Sequence, residues 1–318
     1  MELKDLKRPI TIISVACRTV TAEWENWAQQ LSPSEISGLS DARTVVILGC
    51  QVTDLAILND LRTAERFQNA WPGKEIVLGA CVAARGDVDF DFPRVTLPLG
   101  IANLDSTRFS SQRVNWLQPF WSSRETFLRE GVSVRTSRGC QSACAYCSIN
   151  RVRGGHEVYS ISPQNVVPGS VLVADSPSAD EVHAFLDAAR LNKAPISLRN
   201  LEPEVAFGTK AETMAMAEAG LLDTWHVPIQ STNPEVVGKM RRDPIVVSKI
   251  ISLADDLRRI GVKTATNIIE NFVPGDTSPD ADGFFDHVSR NPYWNGHWDR
   301  SMAEDRWTRL IGQEAKGN

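Results

Sequence analysis

The residues with the densest chemistry are Arg138-Gly-Cys140-Gln-Ser-Ala-Cys144-Ala-Tyr-Cys147, three cysteines in a C-x3-C-x2-C spacing. They follow Val132 to Thr136, read as a strand, so the run lies just past the carboxyl end of an expected strand. That is the edge on which α/β proteins build their sites. Three thiolates packed this tightly can grip three irons of a cubane cluster and leave the fourth iron open to a ligand's amine and carboxylate. A zinc knuckle completed by His156 is the competing reading. Zinc sites usually pair cysteines as C-x2-C and take four protein ligands, which this spacing does not match.

The other three cysteines, Cys17, Cys50 and Cys81, each end an apolar run, with about one βα unit between neighbours. Strands of a parallel sheet all point the same way, so residues at their carboxyl ends collect on one edge. A lone cysteine is ordinarily a small buried hydrophobe. Three at equivalent positions, beside a run that already suits a cluster, read as a second three-thiolate site.

The elements that must position these groups alternate. Ile10 to Ala16, Thr44 to Gly49 and Glu75 to Ala80 read as buried strands, with Val95 to Gly100 as a fourth. Trp24, Trp27 and Leu31 share one helical face, as do Leu55, Leu58 and Leu61. Alternation of strand and helix implies a parallel sheet covered on both faces. Residues 1–128 therefore read as one doubly wound α/β domain, and the polar, irregular stretch from Ile101 to Phe127 as a connection. A second series occupies 129–318, with strands expected at Val132 to Thr136, Val171 to Ala174, Ile196 to Arg199, Trp225 to Ile229 and Lys263 to Ile269. Helices are expected over Asp180 to Leu191, Ala211 to Ala219 and Ile245 to Ile260, the last capped by Gly261, and Asn233-Pro234 opens another. This is a parallel barrel or open barrel. The tail holding Trp294, Trp298 and Trp307 is expected to close its end.

Composition bounds the function. The chain has 318 residues, 42% hydrophobic and 23% charged, a formal charge of −5 and 6 cysteines. That is ordinary globular composition, enough for about two domains. It excludes collagen-like, disordered and disulfide-framework chains, and a pI of about 5.6 argues against a nucleic-acid wrapper. No run approaches a transmembrane helix, and the apolar stretch Ile10 to Cys17 is too short for a leader. The expected location is cytoplasmic, where cysteines serve as metal ligands or buried thiols.

C-x3-C-x2-C with an aromatic before the last cysteine resembles the signature of the radical S-adenosylmethionine (SAM) superfamily. Together with Cys17, Cys50 and Cys81 it is similar to the methylthiotransferases, which thiomethylate tRNA bases or a ribosomal-protein aspartate. Further matches are Leu48-Gly-Cys50-Gln-Val-Thr, Gly79-Ala-Cys81-Val-Ala-Ala-Arg and Arg153-Gly154 with Glu157 and Ser160 after it. Later come His226-Val-Pro-Ile-Gln230-Ser231 with Lys239-Met-Arg-Arg242, and Thr266-Asn-Ile-Ile with Phe272-Val-Pro-Gly-Asp-Thr277. The resemblance covers about residues 10 to 280. It implies a flavodoxin-like amino-terminal sheet carrying an auxiliary cluster on Cys17, Cys50 and Cys81, followed by a partial (β/α) radical SAM barrel. It also implies two [4Fe-4S] clusters, the one on Cys140, Cys144 and Cys147 passing an electron to SAM to release a 5′-deoxyadenosyl radical.

Four departures stand out. The span from Cys147 to Val171 is short and interrupted by Pro163 and Pro168, so the first barrel helix is expected to shrink to a turn. Asn271 stands at the family's glycine, with Val273 inserted and Asp276 in place of glutamate; Asn267 replaces an aspartate. Few residues follow Thr277, which leaves no room for the family's RNA-binding domain. With the acidic pI, this points away from tRNA to a peptide or a small natural-product precursor. The basic group Arg151, Arg153, Arg241 and Arg242 reads either as a solvated rim or as a contact for the SAM carboxylate or an acidic substrate. Tyr146 is expected against the adenine, and Asp175, Arg199 and Gln230 at the barrel mouth are expected to contact SAM. His226 lies inside a motif but is read as structural.

The expected reaction is insertion of sulfur from the auxiliary cluster into a substrate C–H bond, and the resemblance implies that a second SAM supplies a methyl group to it. The alternative keeps the radical step without sulfur transfer, giving dehydrogenation, epimerisation or ring closure. An external one-electron reductant of flavodoxin or ferredoxin type is implied, and no membrane partner.

Overall fold

Both halves of the computed structural model are parallel sheets, and each carries three cysteines beyond its strand ends. The structure describes residues 1–51, 53–85, 90–98, 108–109, 113–117, 132–153 and 155–314. Most of the expected connection over 101–127, the expected boundary after 128, and Gly154 lie outside the described residues.

In chain order the elements begin β1 (Ile10–Ser14), α1 (Arg18–Gln29), β2 (Thr44–Gly49), α2 (Asp54–Ala70), β3 (Glu75–Gly79), α3 (Ala80–Ala83), β4 (Arg94–Val95), β5 (Arg108–Phe109) and β6 (Val114–Trp116). They continue β7 (Val132–Arg135), β8 (Ser137–Arg138), α4 (Ile149–Arg153), β9 (Glu157–Val158), β10 (Ser170–Val173), α5 (Ala179–Leu191), β11 (Ile196–Leu198), α6 (Pro203–Gly208) and α7 (Lys210–Glu218). The rest are β12 (Leu222–His226), α8 (Pro234–Lys239), α9 (Pro244–Arg259), β13 (Lys263–Glu270), α10 (Ala281–Phe284), β14 (His287–Pro292) and α11 (Arg300–Glu314). The chain divides into two compact units. One comprises Met1–Ala102, Ser111–Ser123 and Trp294–Asn318; the other comprises Asn103–Ser110 and Arg124–Tyr293.

The first unit holds a parallel sheet in the order β4-β3-β2-β1-β6. Its strands are near-continuous apolar runs because both faces are covered. Ile10, Ile12, Val46, Leu48 and Val77 pack with Val20, Trp24 and Trp27 of α1. Ile13, Val45, Ile47, Ile76 and Leu78 pack on the other side with Ile57, Leu61 and Ala64 of α2. The order differs from flavodoxin's own 2-1-3-4-5, and its reversal falls between β1 and β6.

The Trp-rich tail corrects the sequence reading. It belongs to the first unit, not to the one that holds the barrel strands. Trp294 and Trp298 join the apolar layer under α2. Arg85 lies over the Trp294 ring at 4.9 Å and donates to the Gly296 carbonyl at 2.7 Å. Arg62 lies 4.8 Å over Trp307, while Arg300 pairs with Glu65 at 2.8 Å and Arg306 with Asp54 at 2.8 Å. Complementary charge on α2 and α11 makes this docking, which no local pattern in the tail announces.

The second unit is an open sheet in the order β14-β13-β12-β11-β10-β7-β5, parallel apart from β5 against β7. Phe185, Leu186, Ile196, Leu198, Trp225, Ile250 and Leu257 fill its core. Caps set its helices. Ser178 and Glu181 form a capping box on α5, and the Asn233 side chain accepts from the Glu235 N–H ahead of Pro234. Two expectations shift. The strand read at Trp225 to Ile229 runs from Leu222 to His226, because Pro228 has no N–H for the ladder. The half-buried β14, absent from the sequence reading, extends the sheet beyond β13. Among the described residues, no helix is long and apolar enough to cross a membrane.

Candidate functional site

The short β8–β9 ladder brackets the segment that carries Cys140, Cys144 and Cys147. Gly139, at φ 81, turns the chain out of β8 into Cys140, a conformation that favours glycine. The Ser142 N–H then donates to Cys140 Sγ at 3.2 Å and the Ile149 N–H to Cys147 Sγ at 3.4 Å, and the five-residue α4 follows. Cys147 is exposed as a whole residue, yet its sulfur sits among protein atoms. That burial pushes its thiol up to about 11; the Ile149 N–H opposes the rise, and Cys144, Cys140 and Glu202 add to it. A buried thiol becomes a thiolate when a multivalent cation joins it, and three cysteines at this spacing on one loop fit an iron–sulfur cluster. Among the described residues no three His, Cys, Asp or Glu side chains are already placed as ligands of one metal ion. His156, the fourth ligand of the zinc reading, lies against Gln141 at 3.2 Å and Glu181 at 3.4 Å.

Buried ions brace this loop. Asp175, just past β10, accepts from the Gly139 N–H at 2.8 Å and from Arg153 Nε at 2.9 Å, with both side chains almost fully buried. One carboxylate thus ties the start of the cysteine loop to its end. On the other side, the Ala145 N–H donates to the Met240 carbonyl at 3.2 Å. Arg242 lies 5.6 Å over the Tyr146 ring and donates to the Pro228 carbonyl at 2.6 Å and to the Glu202 carboxylate. Burial opposes the Arg242 charge, but Tyr146, Glu202 and Cys144 hold its pKa up. Burial likewise raises Glu202, with Arg242 pulling the other way. Tyr146 meets Phe272 edge-on at 6.5 Å, and Phe272 meets Tyr293 at 4.8 Å.

The basic group does not form one patch. Arg241 is exposed, whereas Arg153 and Arg242 are buried in ion pairs. Arg199 follows β11 and is half-buried. Gln230 has φ 70 and bridges to Ile268 through its backbone. Among the described residues the left-handed non-glycine positions are Ala80 beside Cys81, Lys193, Asn200, Gln230, Arg241, Asn271 and Ser278, several of them just past strand ends. Strain of this kind marks functional edges of a fold.

Two departures from the family pattern have physical explanations. Asn271 has φ 61, and asparagine is among the few residues that take a glycine's left-handed place. Its Oδ1 accepts from the Gly275 N–H at 3.2 Å, closing the turn. His226 accepts the Asn200 N–H on Nδ1 at 3.3 Å, so Nε2 carries the proton and donates to Asn267 Oδ1 at 3.3 Å. With asparagine at 267, the group hydrogen-bonded to that nitrogen is an amide oxygen.

In the first unit, register rows align Ser14 with Leu48 and Leu48 with Gly79. Cys17, Cys50 and Cys81 follow these positions by two or three residues, so all three fall on the carboxyl edge. Cys17 is the N-cap of α1, Cys50 directly follows β2, and Cys81 lies in α3. Their exposure differs: Cys17 is exposed, Cys50 half-buried and Cys81 buried. Beneath Cys50, Asp60 accepts its N–H at 2.7 Å. Burial raises the Asp60 pKa against that hydrogen bond, and its Oδ1 has no partner among the described residues. A Cβ on Gly49 would collide with the Asp60 carboxyl and lie 2.6 Å from Val82 Cγ1. Sequence reasoning missed Asp60 and Glu202, and no spacing signal marks either.

No family model matches the chain. By sequence it is similar to tRNA-2-methylthio-N(6)-dimethylallyladenosine synthases. It is 26% identical over 295 residues to that of Corynebacterium glutamicum (strain ATCC 13032), a match covering 77% of this chain and 55% of the relative. It is 25% identical over 282 residues to that of Endomicrobium trichonymphae, covering 78% and 64%. The chain thus spans about half the length of the first of these curated relatives. By structure it is similar to a radical S-adenosylmethionine methyltransferase, TsrM, from Kitasatospora setae, solved with a tryptophan substrate and a SAM analog. The TM-score is 0.54 at 10% identity, covering 89% of this chain and 72% of that one. The fold is therefore shared with that solved structure. By sequence the chain is similar to the methylthio-adenosine synthases named above, over about three quarters of its length.

Proposed function

We propose that the protein is a radical SAM enzyme. In this reading it inserts sulfur, as a methylthio group, into an unactivated C–H bond of a peptide or small natural-product precursor. The observation that carries the reading is the pair of three-cysteine sets, one on a single loop and one on the carboxyl edge of a separate parallel sheet. Bound on these sets, two [4Fe-4S] clusters would supply the electron that cleaves SAM and the sulfur that is transferred. The chain's own residues hold and shield. Cys140, Cys144 and Cys147 are the ligands of the first cluster, and Cys17, Cys50 and Cys81 those of the auxiliary one. Asp175 keeps the loop's two ends together, and Tyr146, Arg199 and Gln230 line the approach of SAM. An external flavodoxin- or ferredoxin-like protein supplies the electron.

The curated relatives are named for tRNA. Against tRNA here stand the formal charge of −5 and the burial of Arg153 and Arg242 in ion pairs, which removes them from any phosphate-binding surface. The unequal environments of Cys17, Cys50 and Cys81 favour the second reading, a radical reaction without sulfur transfer.

The test is iron and sulfide per chain after anaerobic reconstitution. Roughly eight irons, falling to about four in a Cys140/Cys144/Cys147 triple alanine variant and in a Cys17/Cys50/Cys81 one, is the expected result. Product mass follows: a gain of methylthio on a peptide supports the proposal, a gain on tRNA reassigns the substrate, and no gain in mass leaves the second reading. About four irons insensitive to the loss of Cys17, Cys50 and Cys81 would sink sulfur insertion.

A further inference from the structure

We propose that Arg242 is a positioning residue for the Cys140–Cys147 loop whose Nε–H serves the sulfur of Cys144, favouring the reduced state of a cluster held there. The inference rests on the reading that this loop holds a cluster, and on nothing about the first unit or the substrate. Arg242 has 3% of its side chain exposed. Two of its nitrogens are engaged, Nη1 by the Pro228 carbonyl and Nη2 by Glu202. The third, Nε, is buried and has no hydrogen-bond partner among the described residues. A buried guanidinium N–H without an acceptor is costly, and the guanidinium lies over Tyr146, two residues past Cys144, where Cys144 helps to stabilise the Arg242 charge. A thiolate is a better acceptor than a thiol, so ligation at Cys144 would complete the set.

The backbone supports the same assignment. The Ala145 N–H donates to the Met240 carbonyl, and Arg241 turns the chain at φ 63. Tyr146 lies under the guanidinium, so the two residues that follow Cys144 are fixed by the segment that carries Arg242. Hydrogen bonds to ligand sulfurs and net local charge both set iron–sulfur potentials. A fixed cation favours the state with one more electron, and Glu202 partly cancels it. The two residues therefore act with opposite signs.

The experiment is a redox titration of the reconstituted full chain, following the electron paramagnetic resonance signal that changes on adding SAM. Arg242→Gln is expected to keep its iron but hold about tenfold less reduced cluster at a fixed poise, equivalent to about 59 mV for one electron. Arg242→Lys recovers part of the loss, and Glu202→Gln shifts the potential upward. A fully loaded Arg242→Gln with the wild-type potential overturns the proposal, as does a downward shift in Glu202→Gln. Should Arg242→Gln fail to load, Glu202→Gln decides in the same way. Iron unaffected by alanine at Cys140, Cys144 and Cys147 would remove the cluster reading itself, a distinct failure visible before any titration.

Discussion

In the second unit, Cys140, Cys144 and Cys147 share one loop that buried ions clamp from two sides, Asp175 with Arg153 and Glu202 with Arg242. In the first unit, Cys17, Cys50 and Cys81 come from three separate turns and are aligned only by the register of β1, β2 and β3. The loop site is local: its cysteines lie close in the chain, and charged side chains hold its shape. The edge site is global, since its geometry is the geometry of a sheet. Damage to the first kind of site ought to stay in the loop. Damage to the second ought to spread through the core.

The largest expected effect breaks a clamp. Asp175→Ala removes a partner of a buried guanidinium and the acceptor of the Gly139 N–H, and lowers the unfolding free energy by about 3–5 kcal/mol in denaturant titration. A loss below about 1 kcal/mol would mean the pair is not a structural clamp. On the other side of the comparison, Gly49→Ala drives a methyl against the Asp60 carboxyl and Val82. It costs about 1–3 kcal/mol and lowers the melting temperature of the metal-free chain. If it instead left stability intact while abolishing iron binding at Cys50, the edge site would be local too.

Asp60→Asn sharpens the contrast through pH. Burial holds the folded Asp60 carboxyl well above the usual carboxylate range. The folded chain thus keeps a proton that the unfolded chain releases, so stability falls as pH rises from the ordinary carboxylate pKa toward the raised one. Asparagine removes that slope, and unfolding of the metal-free variant is expected to be flatter with pH over this window. An unchanged slope would show that Asp60 is ionised in the fold. The smallest effect is at Asn271: alanine costs about 1 kcal/mol at this left-handed position, and glycine less. Equal melting temperatures for the three would show that the turn carries no strain.

Much of this was legible in the chain. The βα alternation marked most strands, because a strand covered on both faces must be apolar throughout, as Thr44–Gly49 is. The helix over Pro244–Arg259 was framed by its own cap residues. What stayed hidden was long-range. Strand β14 carries polar residues on a half-buried edge, so its pattern is weak. Arg242 read equally as a solvated rim, because its surroundings come from Tyr146, Pro228 and Glu202, far apart in sequence.

The sequence by itself determined the donor sets and their placement just after strands, because ligand chemistry depends on residue type and spacing, and strand direction follows from local pattern. Only the tertiary structure decided which charges are spent inside the protein. Asp175 turned out to brace the loop, Arg153 and Arg242 to be buried, Asp60 to lie beneath Cys50, and the tryptophans of the tail to lie against the first unit. The physical reason is that burial and pairing are properties of surroundings, and those surroundings are assembled from segments that no local spacing connects.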